Sequence, residues 1–258
     1  MMTVRRLGNP QFDAMLAVEP SLDPKVIVPQ DDRLPTLANT LWAGSPDALA
    51  PLGLHRGDEV LMSDLRAAIA GQHARSAEKA REGESAFDLA FLAPTSVSAV
   101  WAQASPQLRL DIEKAVIAAA HTGVSYVVQS QPLISGSTTP GGFAAAMALH
   151  AIGHAKPWTE IPMPNLHVHC YLVGILGSAG RLMAADPDAM TEELTRLGGA
   201  VGRARLADDL RKLGFGIEAG TGPQRRSFEI AGVPEGLLQD LRSAAGGCAG
   251  LGHSALRR

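Results

Sequence analysis

The chain has 258 residues, 46% of them hydrophobic, which is enough for one large domain or two small ones with a real core. Its net charge of −3 excludes a global basic field that would draw in nucleic acid, so any such contact needs a local patch. Two cysteines, Cys170 and Cys248, exclude a disulfide framework, and no run approaches the ~20 apolar residues of a membrane span, so the expected setting is the cytoplasm.

Residues 1–35 are polar and proline-punctuated. They read as a loose arm with room for one short helix or strand. "DEVLMSDLRAAIAGQHA" predicts a helix capped near Ser63, with Asp64 in its first turn. "SAFDLAFLAP" predicts a strand ended by Pro94, and "TSVSAVWAQA" a helix started by a hydroxyl cap at Thr95 or Ser96. A long amphipathic helix follows. Ser105 caps it, Pro106 takes its first position, and Leu108, Ile112, Val116 and Ala119 fall on one stripe.

"GGFAAAMALHAIGHA" reads as a strand of small residues and "NLHVHCYLVGIL" as a strong strand. The next helical stretch should break at Gly198 and Gly199. "FGIEA" and "SFEIAG" form a hairpin pattern, and "VPEGLLQDLRSAA" predicts a final helix. Residues 244–258 read as a disordered tail, leaving 36–243 as the folded domain. Strands and helices alternate unevenly. That pattern favours an α+β fold, an antiparallel sheet with packed helices, over a doubly wound one.

The histidine strand carries the chemistry. Alternation puts His167, His169 and Tyr171 on one face. Leu166, Val168, Cys170 and Leu172 take the other, which is apolar and faces a core. Two imidazoles about 7 Å apart along a strand can converge on one metal ion. The alternative is a pair of hydrogen-bonded histidines on a half-exposed sheet. His150 and His154, on the preceding strand, offer further ligands. Three histidines from neighbouring strands make a facial site with open positions for water or a phosphate.

Several segments together resemble conjugative relaxases of the MobF class, the TrwC/TraI-like family of HUH endonucleases. They are "LWAGSPDALAPLGLHRGDEV", "FDLAFLAPTSVSAVWA", "NLHVHCYLVG", "LADDLRKLGFGIE" and "SFEIAGVPEGLL", in family order between about residues 41 and 242. The resemblance implies an antiparallel sheet with helices packed on it. It also implies a divalent metal (Mn, Mg, Ni or Zn) held by three histidines, and a tyrosine that attacks single-stranded DNA. His167 and His169 match the family's paired ligands. The third would be His154 or His150. His154 leaves twelve intervening residues and His150 sixteen; the family's shorter spacing favours His154, because a small loop insertion is cheap. Asp88 matches an acid that hydrogen-bonds a ligand histidine and accepts the nucleophile's proton. Thr95 and Ser96 fall where the family meets DNA. The implied partners are single-stranded DNA and the conjugation machinery of a plasmid or mobile element.

The resemblance also breaks in places. The family nucleophile precedes the segment at Trp42, yet the two tyrosines of this chain are Tyr126 and Tyr171. Tyr171 is a weak substitute beside the metal pair, and Tyr126 reads as core. Thr95 stands where the family has a lysine, and later basic stretches are diluted. DNA affinity follows the number of phosphates neutralised, so these losses predict weaker binding and reduced or lost nicking. The alternatives are a metal-dependent phosphodiester hydrolase that uses water, and a relaxase relic that binds DNA or a partner without catalysis.

Overall fold

The structure, a computed structural model, describes residues 1–7, 40–83, 85–130, 133–134, 141–152, 164–177, 179–220 and 227–245. In chain order the elements are β1 (Met2–Leu7), β2 (Leu41–Gly44), α1 (Pro46–Leu49), α2 (Met62–Ile69), β3 (Ala86–Leu92), α3 (Thr95–Gln103) and α4 (Pro106–Ser130). They continue as β4 (Gly142–Ile152), β5 (Pro164–Leu176), β6 (Leu182–Met183), α5 (Glu192–Lys212), β7 (Ile217–Ala219), β8 (Phe228–Ile230) and α6 (Glu235–Ala245).

Among the described residues, five strands pair in the order β1-β3-β5-β4-β2, every pair antiparallel, and β6 adds to the end of β5. The fold is therefore α+β, as the uneven alternation of elements predicted. β7 and β8 form the separate expected hairpin. β5 is central because its alternation gives it two faces to bury. Leu166, Val168, Cys170 and Leu172 join Phe87, Leu89 and Phe91 of β3 and Phe143 and Met147 of β4 in the larger core, under α3, α4 and α5. On the opposite face Tyr171 and Val173 join Ala144, Ala146 and Ala148 under Trp42, α1 and α2. The small residues of β4 let this second layer sit close to the sheet.

Four local expectations change. Met2–Leu7, inside the region read as a loose arm, is an edge strand of the main sheet, with Arg5 opposite Asp88. Its two arginines hid it, because an edge strand needs few apolar residues. Residues 8–39 and 246–258 lie outside the described residues. Ser63 is not a cap: α2 starts two residues earlier than such a cap implies, after Leu61, and the Ser63 hydroxyl donates to Asp64 Oδ1. Neither Thr95 nor Ser96 caps α3, whose N-cap is Pro94. The carboxylate of Glu229 on β8 instead accepts the Ser96 N–H at 3.0 Å. By contrast, the Ser105 hydroxyl does accept from the Leu108 N–H at the start of α4.

The fourth change is at Gly198 and Gly199, where α5 runs on unbroken. Its ends are well made. Thr191 accepts the Leu194 N–H, Glu192 and Glu193 open the first turn, and Arg211 and Lys212 close the last. The glycines serve close packing. A Cβ at Gly198 would lie 2.8 Å from the Gly123 carbonyl oxygen, and one at Gly202 would lie 2.7 Å from that of Ala119. The backbones of α4 and α5 thus touch where larger residues would hold them apart.

Candidate metal centre

His150 ends the regular part of β4, and its Cα partner across the ladder is His167. His169, two residues further along β5, lies opposite Ala148. The strands thereby place three imidazoles on one face, all half-buried. Ring centroids are 5.1 Å apart for His150 and His167, 5.0 Å for His150 and His169, and 5.1 Å for His167 and His169. The triangle is nearly equilateral, and one nitrogen from each ring lies within 4.8 Å of the other two. His154, the favoured third residue by spacing, lies outside the described residues; His150 is the one brought to the pair.

Two of the rings are oriented from behind. His169 Nδ1 lies 2.9 Å from both carboxylate oxygens of Asp88, and His167 Nδ1 lies 2.8 Å from the Asn165 carbonyl oxygen. An acceptor at Nδ1 requires a proton there. That tautomer places the lone pair on Nε2, the nitrogen at the far side of each ring. Asp88 is 4% exposed, and the half-exposed Arg5 donates to its Oδ2 at 3.2 Å. Burial opposes the charge on Asp88, but His169 and Arg5 outweigh it and hold the carboxyl below its usual range. The carboxylate therefore stays ionised beside the ring that it orients.

Burial rises along β5 away from this cluster. The His169 side chain is 15% exposed and Tyr171 is 3% exposed. The Tyr171 ring stacks on His169 at 5.8 Å between centroids and 13° between planes. Tyr126 lies on α4, in the layer behind the other face of the sheet, and is half-buried rather than core. Ser96 is fully buried, and its hydroxyl accepts the Ile230 N–H at 2.8 Å, so it ties α3 to the hairpin instead of facing a ligand. Thr95 is half-buried, three residues past Leu92, the Cα partner of His167. Cys170 is buried in the core, and that burial pushes its thiol pKa well up. Sequence reasoning missed Arg5, whose only signal was its alternation with Thr3 in a short N-terminal stretch.

A set of three imidazole nitrogens on one side of a point suits a borderline divalent cation and leaves other coordination positions open. Among the described residues no helix is long and apolar enough to cross a membrane.

The sequence profile of the TrwC relaxase family matches residues 36–243. No curated protein sequence matches the chain. Several solved structures share the fold. A metal-free structure of conjugative relaxase TrwC in complex with oriT DNA is 22% identical, with a TM-score of 0.67 over 97% of this chain and 82% of that one. A metal-bound structure of the same complex is 21% identical, with a TM-score of 0.68 and the same coverage. A copper-bound one is 21% identical, with a TM-score of 0.67 over 94% and 80% of the two chains. The profile spans most of the sequence, so the chain belongs to the TrwC relaxase family.

Proposed function

We propose that this relaxase domain holds a divalent cation on His150, His167 and His169 and binds single-stranded DNA at that face, with tyrosine-mediated nicking reduced or lost. The observation that carries the reading is the imidazole triangle, with two of its rings locked from behind in the ligating tautomer. A bound cation would polarise a phosphate oxygen as a Lewis acid. The residues of the chain do the rest: three rings set the position, and Asp88 keeps His169 in register with it. The relatives are described with oriT DNA, which supports a role in plasmid or mobile-element transfer beside the conjugation machinery in the cytoplasm.

The tyrosines support the loss of nicking. A nucleophile must approach phosphorus in line. Tyr171 is buried, and its ring stacks on His169, a placement that disfavours such an approach. Hydrolysis by water would need a base, and both oxygens of Asp88 are already engaged by His169 and Arg5.

The test uses fluorescent single-stranded oligonucleotides and Mn²⁺, with and without chelator, read by anisotropy and on a denaturing gel. The expected outcome is metal-dependent binding with no covalent protein–DNA band, lost in His167→Ala with His169→Ala. A slow, protease-sensitive band would show that a nucleophile survives and would overturn the loss of nicking. Cleavage without that band would instead favour the hydrolase reading.

A further inference from the structure

His169 is oriented by the carboxylate of Asp88, and His167 Nδ1 is met by a backbone carbonyl. A carbonyl orients a ring only as well as its own peptide is held. The peptide in question joins Asn165 to Leu166. Its oxygen lies 2.8 Å from His167 Nδ1, and its N–H is donated to the hydroxyl oxygen of Ser98 at 2.9 Å in a buried contact. Both bonds belong to one rigid planar unit.

The strand pairing explains why a side chain is needed here. The ladder between β3 and β5 stops at Leu92 opposite His167. Leu166 lies one residue beyond that last pair. The Ala93 N–H donates to the Leu166 carbonyl at 3.1 Å, and the Ser98 hydroxyl oxygen accepts the Leu166 N–H. Ser98 is 2% exposed, and it lies one turn into α3. Two residues before it, Ser96 accepts from Ile230 and is capped by Glu229, which is itself paired with Arg242 of α6 at 2.9 Å. The first turn of α3 is thus fixed from the hairpin side as well.

We infer that Ser98 is a positioning residue for the metal centre: by holding the Asn165–Leu166 peptide it fixes the tautomer and ring angle of His167, as Asp88 does for His169. The hydroxyl also polarises the peptide, which makes the carbonyl a better acceptor for Nδ1–H. The inference rests on the proposed metal site for its functional consequence, but not for its geometry.

The experiment compares wild type with Ser98→Ala and Ser98→Thr in two measurements. In metal-free protein, long-range ¹⁵N NMR of the histidine rings reports the tautomer. Wild type and Ser98→Thr should show His167 protonated at Nδ1, and Ser98→Ala should shift it toward a mixture. Mn²⁺ titration should then show about tenfold weaker binding in Ser98→Ala, the size expected for loss of an outer partner, and recovery in Ser98→Thr. Circular dichroism controls for folding. An unchanged tautomer and unchanged affinity in a folded Ser98→Ala would overturn the inference. A tautomer shift with no Mn²⁺ binding in any variant would support the role of Ser98 and sink the metal reading instead.

Discussion

Arg5 and Asp88 face each other across the outermost strand pair, and the guanidinium donates to the same carboxylate that grips His169. The two partners of Asp88 differ in worth. The Arg5 side chain is 52% exposed, so its pairing contributes at most about 1 kcal/mol. The His169 contact is the less exposed of the two and sets the donor geometry. Asp88→Asn is therefore expected to weaken Mn²⁺ binding about ten- to a hundredfold, and Arg5→Ala much less. Isothermal titration of both variants checks the order; equal losses would mean that the carboxylate acts through its charge balance and not through the imidazole.

His150→Ala and His154→Ala separate two ways of choosing the third ligand. Loop spacing favours His154; strand register places His150 against His167. Register is the stronger constraint, since a one-residue slip sends every side chain to the other face. His150→Ala should abolish stoichiometric Mn²⁺ binding, while His154→Ala leaves it within about threefold. The opposite pattern would move the site into the connection after β4.

Much of this was written in the chain, and the exceptions share a cause. The two-residue alternation of β5 assigned both its faces, because a strand between two strands buries side chains by strict parity. Ser105 and Pro106 announced α4 through local bonding alone. The misjudged positions depend on residues far away in sequence. Ser96 looked like a cap, but Glu229 performs that task from 133 residues later. Gly198 looked like a breaker until α4 was set against it. Arg5 showed no link to His169 because Asp88, on a third strand, joins them.

The Asp88 linkage has a definite sign. Its folded pKa lies below the ordinary value of 3.8, so the unfolded chain binds the proton more readily. Stability from this group is fully present above that ordinary value and is lost as pH falls through the folded one. Metal binding moves in the same direction, since protons compete for the imidazole nitrogens. Urea unfolding of metal-free protein should show a gap between wild type and Asp88→Asn that is widest above about pH 5 and shrinks in acid. A gap constant from neutral pH into strong acid would mean that the carboxylate contributes no proton-linked stability.

Gly202→Ala pits two known effects against each other. Alanine is a better helix former by about 1 kcal/mol, which would stabilise α5. The new Cβ, however, would sit 2.7 Å from the Ala119 carbonyl oxygen and 2.7 Å from the Phe91 ring. A ring can turn, but a helix carbonyl cannot move without shifting α4. Overpacking of this kind costs about 1–3 kcal/mol, so the variant should be destabilised on balance. Its urea midpoint should fall while its helical circular dichroism stays unchanged. A rise in the midpoint would show that α4 and α5 can separate cheaply, and that the glycines are not what sets their approach.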